Sequence, residues 1–177
     1  MLKVRQLILV LATALVAAPA FAAAGNSPAA ADQAAAVSQC TKERSGMGAS
    51  SFKLLYGTNA NRSNAFGKCV SKLAQQNEQN RSNAAVQCRA ERSADPAAFA
   101  AKYGTKHGKS NAFGNCVSAK AKAAAAQQQQ ATINAAKACA AERKADPAAF
   151  KAKYGTNANK ANAFGKCVSS KVKKSSK

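Results

Sequence analysis

The chain has 177 residues, and 47% of them are hydrophobic, but Trp is absent and much of the apolar fraction is Ala. Because Ala buries little surface, this composition argues against one large core and favours small units held by covalent cross-links. The 27 Lys and Arg residues against 7 Asp and Glu give a formal net charge of +20, which favours anionic partners; the alternative is that Lys merely keeps an Ala-rich chain soluble.

The first predicted element is a signal peptide over residues 1–22. A basic start precedes twelve apolar residues, Leu7–Ala18, and small residues in an A-x-A pattern follow. The apolar run is shorter than the roughly 20 residues of a membrane-spanning helix. The sequence therefore predicts a secreted or cell-envelope-associated protein with no transmembrane segment in the mature chain, which would begin with a disordered segment over 23–36.

Three similar repeats follow, over residues 37–73, 85–120 and 136–171. Each contains C-x-x-E-R, then F-x-x-x-Y-G-T, then N-A-F-G-x-C-V-S, and 17 residues separate the Phe from the second Cys in every copy. Self-similarity of this kind is typical of repeat architectures. The predicted fold is all-α, with three tandem disulfide-stapled helical repeats joined by helical or flexible linkers.

Repeat 2 illustrates the helices that each unit should contain. Asp95 is a suitable N-cap and Pro96 a suitable first helical residue. The short helix should end at Gly104, which we expect in the left-handed conformation of a C-terminal cap. After a polar loop, Asn111 is the expected N-cap of the next helix.

The linkers and the C-terminal tail differ in composition. The second linker is rich in Ala, Lys and Gln and contains neither Gly nor Pro, so it favours a helix more strongly than the first. Neither has a clear apolar stripe, which is typical of a helix that bridges units in solvent; a flexible low-complexity linker is the alternative. The basic tail over 172–177 is expected to be disordered.

Six cysteines in an exported chain predict disulfides, and fifteen pairings exist in principle. Pairing within repeats gives every copy its own complete bridge, whereas pairing between repeats uses unequal spans and leaves the outermost two cysteines for each other. The predicted bridges are Cys40–Cys69, Cys88–Cys116 and Cys139–Cys167.

We find no catalytic or metal-binding pattern in the sequence and predict a non-enzymatic protein without a cofactor. No C-x-x-C pair is present, and the one histidine, His107, occurs in a single copy of the loop. Glu43, Glu91 and Glu142 recur in the E-R pair of each repeat. They are expected to pair with a nearby Arg or Lys rather than to act as acids or bases.

The polar loop before the last helix of each repeat is the candidate binding element. Backbone N–H groups at a helix N-terminus favour anions, and basic residues flank each loop: Arg62, Lys68, Lys106, Lys109, Lys160 and Lys166. Three weak sites would gain avidity along a polymer. The expected partners are anionic polymers, such as wall phosphate polymers or nucleic acid, with peripheral contact to acidic lipid; the alternative is that these residues only form turns and face water.

The phrases CxAERxADPAAF, KYGT and NAFGKCVS resemble those of secreted Ala- and Lys-rich cysteine-repeat proteins of high-GC actinobacteria. The resemblance covers the three repeats and not the linkers. It implies secretion and supplies no activity or functional residue. The function predicted from the sequence is binding of anionic polymers at the cell envelope or in the extracellular space; the alternatives are a membrane-active cationic protein, a purely structural secreted protein, or a secreted enzyme or inhibitor.

Overall fold

The structure is a computed structural model that describes residues 28–105 and 107–175. The predicted signal peptide lies outside these residues. All regular elements of the described chain are helical, and they alternate between long and short. The long helices are α1 (Ala30–Met47), α3 (Ala65–Ala94), α5 (Ala112–Ala145) and α7 (Ala163–Ser175); the short ones are α2 (Ala49–Tyr56), α4 (Pro96–Tyr103) and α6 (Pro147–Tyr154), with one 3-10 turn at His107–Lys109.

Each repeat is held by its own disulfide, as the sequence predicted. The bridges Cys40–Cys69, Cys88–Cys116 and Cys139–Cys167 each join Cα atoms 6.0 Å apart. Every bridge links the C-terminal half of one long helix to the first turns of the next. Consecutive long helices therefore run antiparallel, with the short helix and the polar loop covering the turn between them.

Repeats 1 and 3 share one hydrophobic core, and repeat 2 has a separate one. The shared core contains Phe52 of repeat 1 with Phe150 and Phe164 of repeat 3. The core of repeat 2 is small and consists of Cys88, Phe99, Ala112 and Cys116. The composition argued for three small cores, but two of the three repeats merge theirs.

Two leucines of repeat 1 explain why it packs against other parts of the chain. Leu55 stands where repeats 2 and 3 have Lys102 and Lys153, and Leu73 stands where they have Lys120 and Lys171. Leu73 is buried in the shared core and Leu55 packs against it. Repeat 1 therefore carries apolar surface at positions where its sister repeats are charged, and this surface is removed from water by α5 and α7.

The linkers are helical, and the expectation that they bridge repeats in solvent is wrong. Both lie inside the long helices α3 and α5, which pack against each other and against α1. Pairs of side-chain amides, rather than an apolar stripe, connect these helices to their neighbours. Asn77 exchanges hydrogen bonds of 3.0 and 3.3 Å with Gln39, and Asn80 exchanges bonds of 3.0 and 3.3 Å with Gln128.

The described parts of the two segments that were predicted to be disordered are largely helical. Residues 30–36 of the predicted disordered segment belong to α1, where Ala36 is fully buried and Asp32 forms a 2.6 Å ion pair with Arg81. The predicted disordered tail is helical through Ser175, since Val172 packs against the shared core. Packing against neighbouring helices, which composition does not reveal, orders both segments.

Candidate anion-binding site

A buried or half-buried glutamate anchors each short helix through a tyrosine. The Tyr hydroxyl donates to the Glu carboxylate at 2.5 Å in repeat 1, 2.8 Å in repeat 2 and 2.9 Å in repeat 3; the pairs are Tyr56–Glu43, Tyr103–Glu91 and Tyr154–Glu142. The predicted pairing with a basic residue is confirmed in repeats 2 and 3. There Lys120 and Lys171 each lie 2.7 Å from the carboxylate.

The electrostatics of these glutamates differ between the repeats. Hydrogen bonds from Lys120 and Tyr103 hold the pKa of Glu91 below its ordinary value, and bonds from Lys171 and Tyr154 do the same for Glu142. In repeat 1 the equivalent lysine is replaced by Leu73, and burial raises the pKa of Glu43. All three carboxylates thus take part in contacts within their own repeat.

The glycine that follows each tyrosine is required for a steric reason, and it does not form the expected left-handed C-terminal cap. The three Y-G-T glycines are extended; φ is −71° at Gly57, −81° at Gly104 and −75° at Gly155. The left-handed residues are instead the loop cations, with φ of 56° at Arg62, 55° at Lys109 and 52° at Lys160. An added Cβ on each glycine would lie 2.4–2.5 Å from the Cβ of that cation, so close approach excludes a side chain there.

In repeats 1 and 2 the loop asparagine, Asn64 or Asn111, occupies the predicted N-cap position but does not cap the helix with its side chain. In repeat 1, Oδ1 of Asn64 accepts from the backbone N–H of Thr58 at 3.0 Å, and its Nδ2 donates to the Thr58 hydroxyl at 2.8 Å. Asn162 and Thr156 make the same pair of contacts in repeat 3. The asparagine therefore closes the loop on itself, and most of the predicted binding loop is scaffold.

The six predicted anion-binding residues do not converge on one place. Arg62 and Lys166 line the same groove. Lys68, Lys109 and Lys160 are exposed and lie outside it. The remaining residue, Lys106, lies outside the described residues.

The groove lies between repeats 1 and 3 and is lined by residues of both. It is open and encloses about 1090 Å³. On the side of repeat 1 its walls come from α2, the polar loop that follows α2, and α3; on the side of repeat 3 they come from the polar loop and α7. Five basic side chains line it, and no carboxylate does: Arg62, Lys72, Lys166, Lys173 and Lys174.

Three of the five basic residues that line this groove were not predicted from the sequence as anion-binding residues. Lys72 was assigned to repeat 1 without a role, and Lys173 and Lys174 were assigned to a disordered tail. The available signal was the spacing of Lys166, Lys173 and Lys174 at i, i+7 and i+8, which places them on one face of a helix. Recognising that face required knowing that α7 extends through the tail.

Within residues 28–105 and 107–175, no group of three or more His, Cys, Asp or Glu residues could hold a metal ion. No helix in the same part of the chain is long and apolar enough to cross a membrane. Three disulfides are typical of proteins from oxidising, extracytoplasmic environments.

Comparison of the chain with protein families, with curated proteins and with solved structures finds no match.

Proposed function

We propose that the protein is a secreted or envelope-associated, non-enzymatic binder of anionic polymers. The observation that carries the proposal is the cationic groove between repeats 1 and 3, which brings Arg62 and Lys166 together with three further lysines. A concave surface with one sign of charge focuses the field on a ligand of the opposite charge.

The distribution of carboxylates supports the same function. Three of the acidic residues bond tyrosines within the repeats. Asp95 and Asp146 accept hydrogen bonds from the first turns of α4 and α6, and Asp32 pairs with Arg81. Acidic side chains are thus used to build the scaffold, while most lysines face solvent.

The rigidity of the scaffold suits it to a long polymer. Three disulfides and the packing of α1, α3 and α5 fix the backbone positions that carry the exposed cations. Binding a polymer therefore requires little ordering of the backbone, and several contacts on one polymer strengthen each other.

Retention on an immobilised phosphate polymer at low salt, followed by elution across a salt gradient, tests the proposal. We expect strong retention at low salt and elution as the salt concentration rises, because screening weakens contacts between exposed charges. Absence of retention at low salt, or retention that salt leaves unchanged, would contradict electrostatic polymer binding. Lysozyme-sized cationic standards of similar net charge per residue separate specific retention from plain ion exchange.

A further inference from the structure

The geometry points to the groove between repeats 1 and 3 as the principal binding site, and we infer that it takes the phosphate groups of a linear polymer. This inference rests on the proposed function and sharpens it. The proposed function states only that the protein binds anionic polymers. The inference assigns it to one concavity and to one anion chemistry.

The two walls of the groove place positive charge on both sides of a ligand. On α7, Lys166 and Lys173 lie seven residues apart, which corresponds to about 10 Å along the helix axis. Lys72 of α3 lies on the opposite wall. A polymer lying along α7 can therefore contact two lysines on one side and another across the groove.

The lining favours phosphate over carboxylate. Ser169 and Ser170 lie between the lysines of α7 and line the groove with them. A phosphate presents more acceptor oxygens than a carboxylate and can take hydroxyl and ammonium donors from several side chains at once, whereas the planar fork of an arginine matches both anions. The one arginine of the groove, Arg62, already donates from Nη1 to the carbonyl of Leu54 at 3.0 Å.

Repeat 2 does not reproduce this surface. The positions of Lys166, Ser170 and Lys174 are occupied there by Asn115, Ala119 and Ala123. Asn115 uses its side chain to bond the carbonyl of Tyr103 at 2.8 Å. The groove therefore depends on residues specific to repeat 3 and on the packing of repeats 1 and 3, and the repeated loop alone does not create it.

Two variants with equal changes in charge test the inference on the full mature chain. The groove variant is K72Q/K166Q/K173Q. The matched control is K137Q/K144Q/K151Q, which removes three exposed lysines that do not line the groove. Circular dichroism and thermal unfolding of both variants verify the fold. Binding is measured by titration with soluble inorganic polyphosphate, a glycerol-phosphate polymer, single-stranded DNA and polyglutamate over a range of salt concentrations.

We expect the groove variant to bind the phosphate polymers at least tenfold more weakly than the control. We also expect the slope of log Kd against log salt to fall by about one for each lysine removed from the contact. Equal losses in the two variants would overturn the groove as the principal site while leaving polyanion binding intact. Equal affinity of the wild type for polyglutamate and polyphosphate would overturn the phosphate assignment, and absence of binding to all four polymers would overturn the proposed function as well. The glycerol-phosphate polymer and DNA arms distinguish a wall polymer from nucleic acid as the source of the phosphate.

Discussion

The hydroxyl of Tyr56 donates a 2.5 Å hydrogen bond to Oε2 of Glu43, and both residues are buried. The same contact is half-exposed in repeats 2 and 3, where a lysine joins it. In repeat 1 the lysine position is Leu73, and burial raises the pKa of Glu43 more than the hydrogen bond from Tyr56 and the charge of Lys72 lower it. One repeated contact therefore has opposite electrostatic consequences in different copies.

Replacing Glu43 with Gln should increase stability at neutral pH. Because the folded protein raises the pKa of Glu43 above the ordinary value of 4.5, the native state holds this proton more tightly than the unfolded state. Wild-type stability therefore falls as the pH rises from that ordinary value through the raised one. The E43Q side chain can still accept from Tyr56, and its unfolding free energy should lack this decline. Urea unfolding across a pH series measures the difference.

The E142Q variant is the counterpart of E43Q at a glutamate whose pKa is shifted in the opposite direction. Here the pKa is lowered, chiefly by the hydrogen bond from Lys171, so the carboxylate contributes stability above its ordinary pKa and loses it as the pH falls through the folded value. We expect E142Q to lose less than about 1 kcal/mol at neutral pH, since this ion pair is partly exposed, and to match the wild type in acid. Parallel pH profiles for the two variants would contradict the assigned environments.

The glycine of the Y-G-T phrase should tolerate no side chain, while a helical glycine of the same repeat should. In G104A the new Cβ would lie 2.5 Å from the Cβ of Lys109 and 2.6 Å from the carbonyl oxygen of Ala100, so we expect a loss of about 1–3 kcal/mol. Gly114, on the first turn of α5, has nothing within 4 Å of an added Cβ. G114A should gain about 0.5–1 kcal/mol from helix propensity. Thermal unfolding of both variants decides, and equal effects would exclude the close-approach explanation.

The local parts of this fold could be predicted from the sequence because their causes are local. The Asp–Pro start of α4 and the pairing of Cys88 with Cys116 follow from residues near each other in a repeated phrase. The arrangement of the repeats could not be predicted in the same way. It depends on contacts such as that between Ile133 and Gly46, which are distant in sequence and occur once.

The same distinction between local features and long-range packing applies to the residues of the candidate site. Arg62 and Lys166 were predicted because they flank the repeated loop. Lys72 and Lys173 were missed because they become neighbours only when α7 packs beside repeat 1. The lysines of α7 share one helix face, but the sequence of either repeat alone does not show which surface that face meets.

In the Gln tract of the second linker, Gln128 should be structural and its neighbour Gln127 dispensable. Gln128 exchanges hydrogen bonds with buried Asn80, whereas Gln127 is exposed. Q128A leaves the Asn80 amide without this partner and should cost about 1–3 kcal/mol. Q127A should stay within about 0.5 kcal/mol of the wild type. Urea unfolding measures both, and a neutral Q128A would show that the amide pair does not stabilise the bundle.

Removing the disulfide of repeat 2 should unfold that repeat and leave the others folded. The bridge closes a span of 28 residues, and its loss in C88A/C116A removes roughly 3–4 kcal/mol in the chain-entropy description. The core of repeat 2 is separate from the shared core and contains little besides the bridge, Phe99 and Ala112. We therefore expect hydrogen exchange to show loss of amide protection between residues 88 and 116, with protection retained in repeats 1 and 3.

Removing the disulfide of repeat 3 is the control for the prediction on repeat 2. Cys139 and Cys167 lie in the core that repeat 3 shares with repeat 1. In C139A/C167A the lost stabilisation should therefore appear as weaker protection in both repeats together, because they unfold as one cooperative unit. Loss of protection confined to repeat 3 would show that the shared core does not couple the two repeats. Loss across the whole chain in C88A/C116A would show that repeat 2 is coupled to the rest, for which the continuous helices α3 and α5 provide a path.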